Sequence, residues 1–170
     1  MAEIIKVYKQ SVPAMRFIGK PDPYEGGGWG EWHGKGWFGD IEKAAGGIEE
    51  INKLYEDAGA YVGLLHLSKD FNLLAYWIGM FAAPGTEVPE GFRSIDYPAQ
   101  NFGVLWIQGK DMPDIQSQFW CMQQKINEAG MEIIKEDDGS FWDFERYGCP
   151  RYTIPDENGN IIMDFCYFVK

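Results

Sequence analysis

The sequence predicts an α+β domain in which a strand-helix-strand-strand module occurs twice. The first observation is a repeat: Pro13 recurs as Pro98, each is followed by alanine, and a Gly-Lys pair closes each copy. The second is that each copy continues with apolar residues at helical spacing and ends in an acidic residue, an alanine and a glycine, at Gly59 and Gly130. Because landmarks repeated in the same order indicate duplication, we expect antiparallel sheets, two main helices on one face and a ligand cleft between the modules.

A chain of 170 residues has the usual size of one domain. We therefore expect a single domain over 1–170. Module one spans 1–82 and contains an insertion rich in tryptophan and glycine at 21–39. Module two spans 91–170, and a turn-rich connector joins the two modules.

The composition argues against nucleic-acid binding, secretion and membrane insertion. Asp and Glu number 26 against 15 Lys and Arg, a net charge of -11, whereas proteins that bind nucleic acid need basic patches. The apolar stretches fall short of the ~20 residues of a membrane span. The polar opening of the chain lacks the apolar core of a secretion signal. We expect a cytoplasmic protein without direct nucleic-acid or membrane contacts.

The cysteines and histidines predict neither a metal site nor a cofactor. Three cysteines and two histidines occur, without Cys-x-x-Cys or a related ligand spacing. We expect the cysteines to be buried thiols of a reducing compartment. We also expect His66, which lies between two leucines, to bind no metal.

Module one begins with alternating residues over Ile4–Lys20, which predict one strand interrupted at its proline, since proline lacks a ladder donor. A helix follows, with Asp40 as N-cap and Gly59 as the stop. The strands Tyr61–Leu67 and Leu73–Met80 then form an antiparallel hairpin.

The insertion at 21–39 combines seven glycines with five aromatic residues, namely Tyr24, Trp29, Trp32, Trp37 and Phe38. Loops of this length are often lids or binding loops. We expect the rings to cover the cleft. The alternative is that they plug the sheet or a subunit interface.

Module two repeats this order of elements. Asp111 is expected to cap its helix, with Pro113 in the first turn, where a missing donor costs nothing, and Gly130 at the end. The run Phe141–Gly148 predicts a strand, and the final strand is expected over 160–169.

The strand Phe141–Gly148 carries the candidate site. Alternation places Glu145 and Tyr147 on one face, and Trp142 and Phe144 on the other. An ionised carboxyl in apolar surroundings needs water, a hydrogen bond, a cation or a proton. Glu145 is therefore a candidate binding residue, and the alternative is a solvated edge strand.

Aligning the third strands of the two modules places Leu64 opposite Glu145 and His66 opposite Tyr147, so the modules contribute unlike groups to one concave surface. Apolar walls with few placed polar groups are typical of small-molecule pockets. The predicted ligand-binding residues are Glu145, Tyr147, His66, Leu64, Trp106, Trp37 and Trp29.

Four segments in this order carry a resemblance to a known family: Pro13–Gly19, Val88–Phe92, Gly109 with the following lysine, and Phe144–Tyr147. The sequence resembles the GyrI-like small-molecule-binding family, which belongs with the effector-binding domains of AraC-type and MerR-type regulators and with the SOUL proteins. The resemblance spans nearly the whole chain. The sequence shows no helix-turn-helix of the kind that the regulators carry. The resemblance therefore implies a stand-alone binding domain.

The resemblance also implies a site. In the family, the Glu that maps onto Glu145 lies in the pocket between the modules and commonly meets cationic, aromatic ligands, and Tyr147 accompanies it. Some stand-alone relatives inhibit gyrase, and others hydrolyse the strained cyclopropane rings of DNA-alkylating natural products.

Three functions remain open at this point. The first is binding of an aromatic or cationic small molecule by a monomer or homodimer. The second is hydrolysis of a strained ring, in which Glu145 and Tyr147 would be catalytic, with His66 as an alternative stabiliser of charge. The third is gyrase-inhibitor-like binding of a protein through an acidic surface that includes Glu136, Asp137 and Asp138.

Overall fold

A computed structural model describes residues 1–22, 28–148 and 150–170. The described chain contains eight strands, five short α-helices and one 3-10 turn. The strands are β1 Glu3–Val12, β2 Met15–Asp22, β3 Tyr61–Leu67, β4 Leu73–Ala82, β5 Arg93–Tyr97, β6 Gln100–Gly109, β7 Phe141–Tyr147 and β8 Ile161–Val169. The helices are α1 Trp29–Lys35, α2 Trp37–Ala44, α3 Ile48–Asn52, α4 Met112–Gln116 and α5 Met122–Glu128, with the 3-10 turn at Phe119–Cys121.

All eight strands form one antiparallel sheet in the order β1-β6-β8-β7-β3-β4-β2-β5. The predicted α+β class and antiparallel pairing are confirmed. The expectation of more than one sheet is wrong, because β3 and β7 pair directly and join the two halves. When β1–β4 are exchanged one by one for β5–β8, the same order results, read from the opposite edge of the sheet.

The pairing of β3 with β7 corrects the expected register. Gly63 lies opposite Glu145, and Tyr61 lies opposite Tyr147. Leu64 instead lies opposite Phe144. The repeat alignment failed here because it identifies equivalent positions, whereas neighbours in an antiparallel pair run in opposite directions.

The sheet curls so that its two ends approach each other. Strand β1 ends at Val12 and β2 begins at Met15, although the two strands are first and seventh in the order. Six strand spacings of a flat sheet would measure ~29 Å, and three residues of chain reach only ~11 Å. The predicted single strand over Ile4–Lys20 is therefore two strands with a corner at Pro13.

The inside of the curl is filled by one apolar cluster to which every strand contributes, and it includes Phe17, Leu64, Phe81, Phe102, Phe144 and Phe168. Rings meet across the curl, since Tyr97 of β5 stacks on Phe168 of β8 with their centroids 5.1 Å apart. The helices cover the other face. Ile41 and Ile51 pack there beside the first half, and Ile115 beside the second half.

The helical region of the first half differs from its prediction. Residues 29–35 form α1 rather than a loop, and Asp40 lies inside α2 instead of capping it. The long helix predicted to end at Gly59 is broken by Gly46 and Gly47, whose φ angles of 86° and 113° lie outside helical values. Tyr24 and the glycines at 26 and 27 lie outside the described residues.

The second helical region agrees better with its prediction. The side chain of Asp111 caps α4 by accepting a hydrogen bond from the Asp114 backbone N–H at 2.9 Å, and Pro113 lies in the first turn. The predicted helix is again divided, by the 3-10 turn before α5.

Among the helices of the described ranges, none has the length and apolar character that a membrane span requires.

A network of charged side chains lies on the inside of the curl. Arg146 and Asp164 are fully buried and are joined by a hydrogen bond of 2.8 Å from Nε to Oδ2. Arg151 bonds the same carboxylate and also holds Asp57 through two bonds of 2.9 Å. The network therefore connects β7 and β8 to the segment that follows α3.

We predict that Asp164→Asn lowers the free energy of unfolding by about 3 to 5 kcal/mol, because it leaves buried Arg146 without a full counter-charge. The matched control is Asp96→Asn, which breaks the pair between Arg16 and the 65 % exposed side chain of Asp96. That change should cost far less, because solvent screens an exposed pair. Urea unfolding measures both variants. Equal losses would contradict the assignment of the network as a structural element.

Candidate functional site

Glu145 is the acceptor at the centre of an aromatic cluster on the helix-covered face. Its Oε2 accepts hydrogen bonds from the hydroxyls of Tyr147, at 2.7 Å, and Tyr76, at 3.2 Å. The indole Nε1 of Trp29 donates to the Tyr76 hydroxyl at 2.9 Å. Elements from both halves of the chain thus hold one carboxyl group that is only 8 % exposed.

Gly63 makes room for this arrangement. A Cβ atom at this position would lie 2.5 Å from the Tyr76 hydroxyl and 2.9 Å from Glu145 Oε2. Both distances are too short for non-bonded atoms. The position of β3 directly across from the carboxylate therefore requires glycine.

Burial changes the acid-base properties of the cluster. Desolvation raises the pKa of Glu145, and the hydrogen bonds from Tyr147 and Tyr76 oppose that rise. Desolvation, reinforced by the charge of Glu145, also raises the pKa of Tyr147. The Tyr147 phenol therefore stays protonated and remains a donor at neutral pH.

Asp143 is a second buried carboxyl on the same face of β7. It is 1 % exposed, and its Oδ1 has no hydrogen-bond partner among the described residues. Desolvation and the charge of Glu145 raise the pKa of Asp143 well above its usual range. Burial therefore raises the pKa of both carboxyls on this strand face.

An apolar pocket of about 410 Å³ adjoins this cluster, and we call it the tyrosine pocket. The Tyr147 ring makes two edge-to-face contacts in the wall of this pocket. Its centroid lies 4.8 Å from the ring centroid of Trp29 and 4.8 Å from that of Tyr152. The lining side chains are Trp29, His33, Tyr61, Met112, Tyr147, Tyr152 and Thr153. They come from α1, β3, α4, β7 and the loop after β7, so both halves build the pocket.

Three of the seven sequence-predicted residues come together here, namely Glu145, Tyr147 and Trp29. Trp37 lies on the same side of the sheet but away from the pocket, with its ring 4.2 Å from the Nζ of Lys20. Trp32 is fully buried in the core beneath the first helices.

The other three predicted residues lie on the opposite face. Leu64 is fully buried inside the curl, and Trp106 packs under the guanidinium of Arg151 at 4.6 Å. His66 stacks on Trp142 with centroids 4.3 Å apart and shares a hydrogen bond of 3.1 Å with the Ser140 hydroxyl. The geometry does not bring these side chains to Glu145.

The described residues contain no group of three or more His, Cys, Asp or Glu side chains that could hold a metal ion. Cys166 is fully buried, and desolvation raises the pKa of its thiol to about 12. Cys121 is also buried, and Cys149 lies outside the described residues.

Sequence reasoning missed Tyr76, Tyr61, Tyr152, His33 and Gly63. Tyr61 had a usable signal, because it lies directly opposite Tyr147 once β3 and β7 are paired in the correct register. Tyr76 required the register of a third strand, in which it lies opposite Leu65.

Comparisons with known proteins show the fold but no family. Neither protein-family models nor curated proteins give a match to the chain. Among solved structures, a Staphylococcus aureus MU50 protein named for a proposed role in bacterial transcription regulation is 17 % identical, with a TM-score of 0.58 over 97 % of this chain and 98 % of that one. SAV2435 bound to tetraphenylphosphonium is 15 % identical, with a TM-score of 0.54 over 98 % and 94 %.

A hydrolase from Listeria innocua is 9 % identical to the chain, with a TM-score of 0.51 over 97 % of this chain and 92 % of that one. At these identities the likeness concerns the fold alone. The three proteins share with this chain an architecture that extends over nearly its whole length.

We predict that Asp143→Asn stabilises the protein at pH 7. Because the folded-state pKa of Asp143 is raised, the folded protein holds this proton more tightly than the unfolded chain, and wild-type stability falls as the pH rises above about 3.9. Asparagine has no such dependence. Thermal unfolding should show a melting temperature at least about 2 °C higher at pH 7, with a smaller gain at pH 3.5.

The control is Asp137→Asn, since Asp137 is an exposed carboxylate on the loop before β7. It should leave the melting temperature within about 1 °C of the wild type at both pH values, because exposed side chains outside a network contribute little to stability. A gain for Asp143→Asn that is independent of pH would show that ionisation of this group is not the cause.

Proposed function

We propose that the chain is a stand-alone effector-binding domain of the GyrI-like type, which binds an aromatic cation in the tyrosine pocket with Glu145 as counter-charge. One observation carries the proposal. A nearly buried carboxyl adjoins an aromatic pocket, and no lysine, arginine or histidine of the described residues forms an ion pair with it.

The chemistry of the pocket favours such a ligand. Ring faces attract cations by about 0.5 to 2 kcal/mol each, and Trp29, Tyr61, Tyr147 and Tyr152 supply rings at the wall. A carboxyl whose pKa is raised by burial is stabilised in its ionised form by a nearby cation. Ligand binding and ionisation of Glu145 are therefore coupled.

The likeness to SAV2435 supports the choice of ligand class, since that protein was solved with tetraphenylphosphonium, an aromatic cation.

We also propose that the two halves are copies of one module and that the pocket lies in the cleft between them. The supporting observation is the strand order, which is unchanged when the halves are exchanged.

A second candidate function is hydrolysis of a strained ring, and the raised pKa of Glu145 favours it because such a carboxyl acts as a base nearer to neutral pH. In this reaction Glu145 would take a proton from water while the water oxygen bonds to a ring carbon. The ring C–C bond at that carbon would break. The other carbon of the broken bond would then receive a proton from solvent. Turnover of a cyclopropane substrate distinguishes this function from binding alone.

We predict that Glu145→Gln weakens tetraphenylphosphonium binding about 5- to 150-fold, which corresponds to the loss of a charge-assisted contact of about 1 to 3 kcal/mol. Glutamine keeps the shape and an acceptor but loses the charge. Wild-type affinity should rise with pH as Glu145 ionises, and the variant should lack this rise. Isothermal titration calorimetry from pH 5 to 8 measures both effects.

The matched control is Glu3→Gln, which removes the same charge from an exposed position on the edge strand β1. It should change the affinity by less than twofold at 0.15 M salt. If both variants bind equally well, the pocket does not use Glu145. If Glu145→Gln retains binding and only loses turnover of a cyclopropane substrate, the second function is correct.

We predict that Trp29 reports ligand binding by fluorescence. Because its ring lines the tyrosine pocket, Trp29→Phe should abolish most of the quenching that tetraphenylphosphonium causes in the wild-type protein. Trp120→Phe is the control, since Trp120 is 82 % exposed and is not among the lining residues of the pocket. Quenching that survives in Trp29→Phe and disappears in Trp120→Phe would place the ligand elsewhere.

A further inference from the structure

A second pocket of about 410 Å³ lies beside the tyrosine pocket, and we call it the polar pocket. Tyr61 and Tyr147 line both pockets, so the two pockets meet at these residues. The polar pocket adds Glu42, Asn52 and Asp57, groups of a kind that the tyrosine pocket lacks. A ligand that reaches past the two tyrosines therefore enters a different chemical environment.

Helix α2 positions Glu42 in this pocket. Phe38 stacks face to face on Tyr61, with ring centroids 3.7 Å apart and planes inclined by 3°. Glu42 follows Phe38 by four residues and so projects from the same side of the helix. The stacking of Phe38 on Tyr61 thus holds the carboxylate of Glu42 near Tyr61.

Asn52 and Gly59 form another part of the polar pocket. The Asn52 Oδ1 accepts a hydrogen bond of 3.0 Å from the backbone N–H of Gly59, which fixes the orientation of the amide. A Cβ atom at residue 59 would lie 2.4 Å from that oxygen and 2.8 Å from the Cδ1 of Ile48. A larger residue at position 59 would therefore have to displace the Asn52 amide or the Ile48 side chain.

The polar pocket carries one uncompensated negative charge. Asp57 lines it, but both of its carboxylate oxygens are bonded to Arg151 at 2.9 Å. Glu42 is only partly exposed, and no cationic side chain of the described residues forms an ion pair with it. A positively charged group in this pocket would meet Glu42 as its counter-ion.

We propose that the polar pocket binds a second cationic group, so that the preferred ligands are aromatic dications with a flexible ammonium arm. The aromatic cation occupies the tyrosine pocket, and the arm passes Tyr61 and Tyr147 to reach Glu42. This inference rests on the proposed function, because the tyrosine pocket must hold the aromatic part.

Two dyes test the inference, since ethidium and propidium share a phenanthridinium ring and propidium adds a quaternary ammonium arm. Wild-type protein should bind propidium roughly three- to tenfold more tightly than ethidium at 0.15 M salt. Glu42→Gln should remove this preference and leave ethidium affinity within twofold. Glu145→Gln should weaken both dyes by a similar factor. Fluorescence titration of each dye gives all of these affinities.

The control variant is Glu49→Gln on α3, where the carboxylate is exposed and absent from the pocket lining. It should keep the preference for propidium. Retention of ethidium binding by Glu42→Gln shows that the variant is folded. Equal affinity of the wild type for both dyes, or equal preference in Glu42→Gln and Glu49→Gln, would overturn the second cationic site while the proposed function stands. If neither dye nor tetraphenylphosphonium binds wild-type protein, the proposed function fails as well.

Discussion

The pairing of β3 with β7 is the constraint on which the rest of the molecule depends. It joins the two halves into one sheet, and it places Gly63 across from Glu145 and Tyr61 across from Tyr147. Only a glycine leaves space for the carboxylate and the Tyr76 hydroxyl to meet. A shift of one residue would move every side chain of β7 to the other face and exchange Glu145 for Arg146.

Neighbouring residues of β7 therefore belong to two electrically different environments. Arg146 points into the curl, where Asp164 neutralises it and the pair is satisfied by further hydrogen bonds. Glu145 points to the helix-covered face, where two hydroxyls are its donors. Because the sheet separates the two groups, the arginine next in sequence does not serve as a counter-ion for the glutamate. This separation leaves Glu145 without a cationic partner among the described residues.

Features set by local sequence were predictable. These are the strand at β7, the β3–β4 hairpin and the Asp111 cap. Features set by contacts between distant segments were not. Tyr76 and Gly63 join the site only through register, and the curl that buries Leu64 on the other face follows from strand order. The insertion was misread because its glycines suggest a loop, although buried Trp32 and Phe38 hold helices there.

Helix α1 has only seven residues, well below the length at which an isolated helix is stable in water. Its order therefore depends on contacts made by its own side chains, with Trp32 in the core and Trp29 bonded to Tyr76. A molecule that enters beside Trp29 would compete with one of these attachments. The order of this wall therefore depends on two side-chain attachments, whereas each strand beneath it is also held by backbone hydrogen bonds to its neighbours.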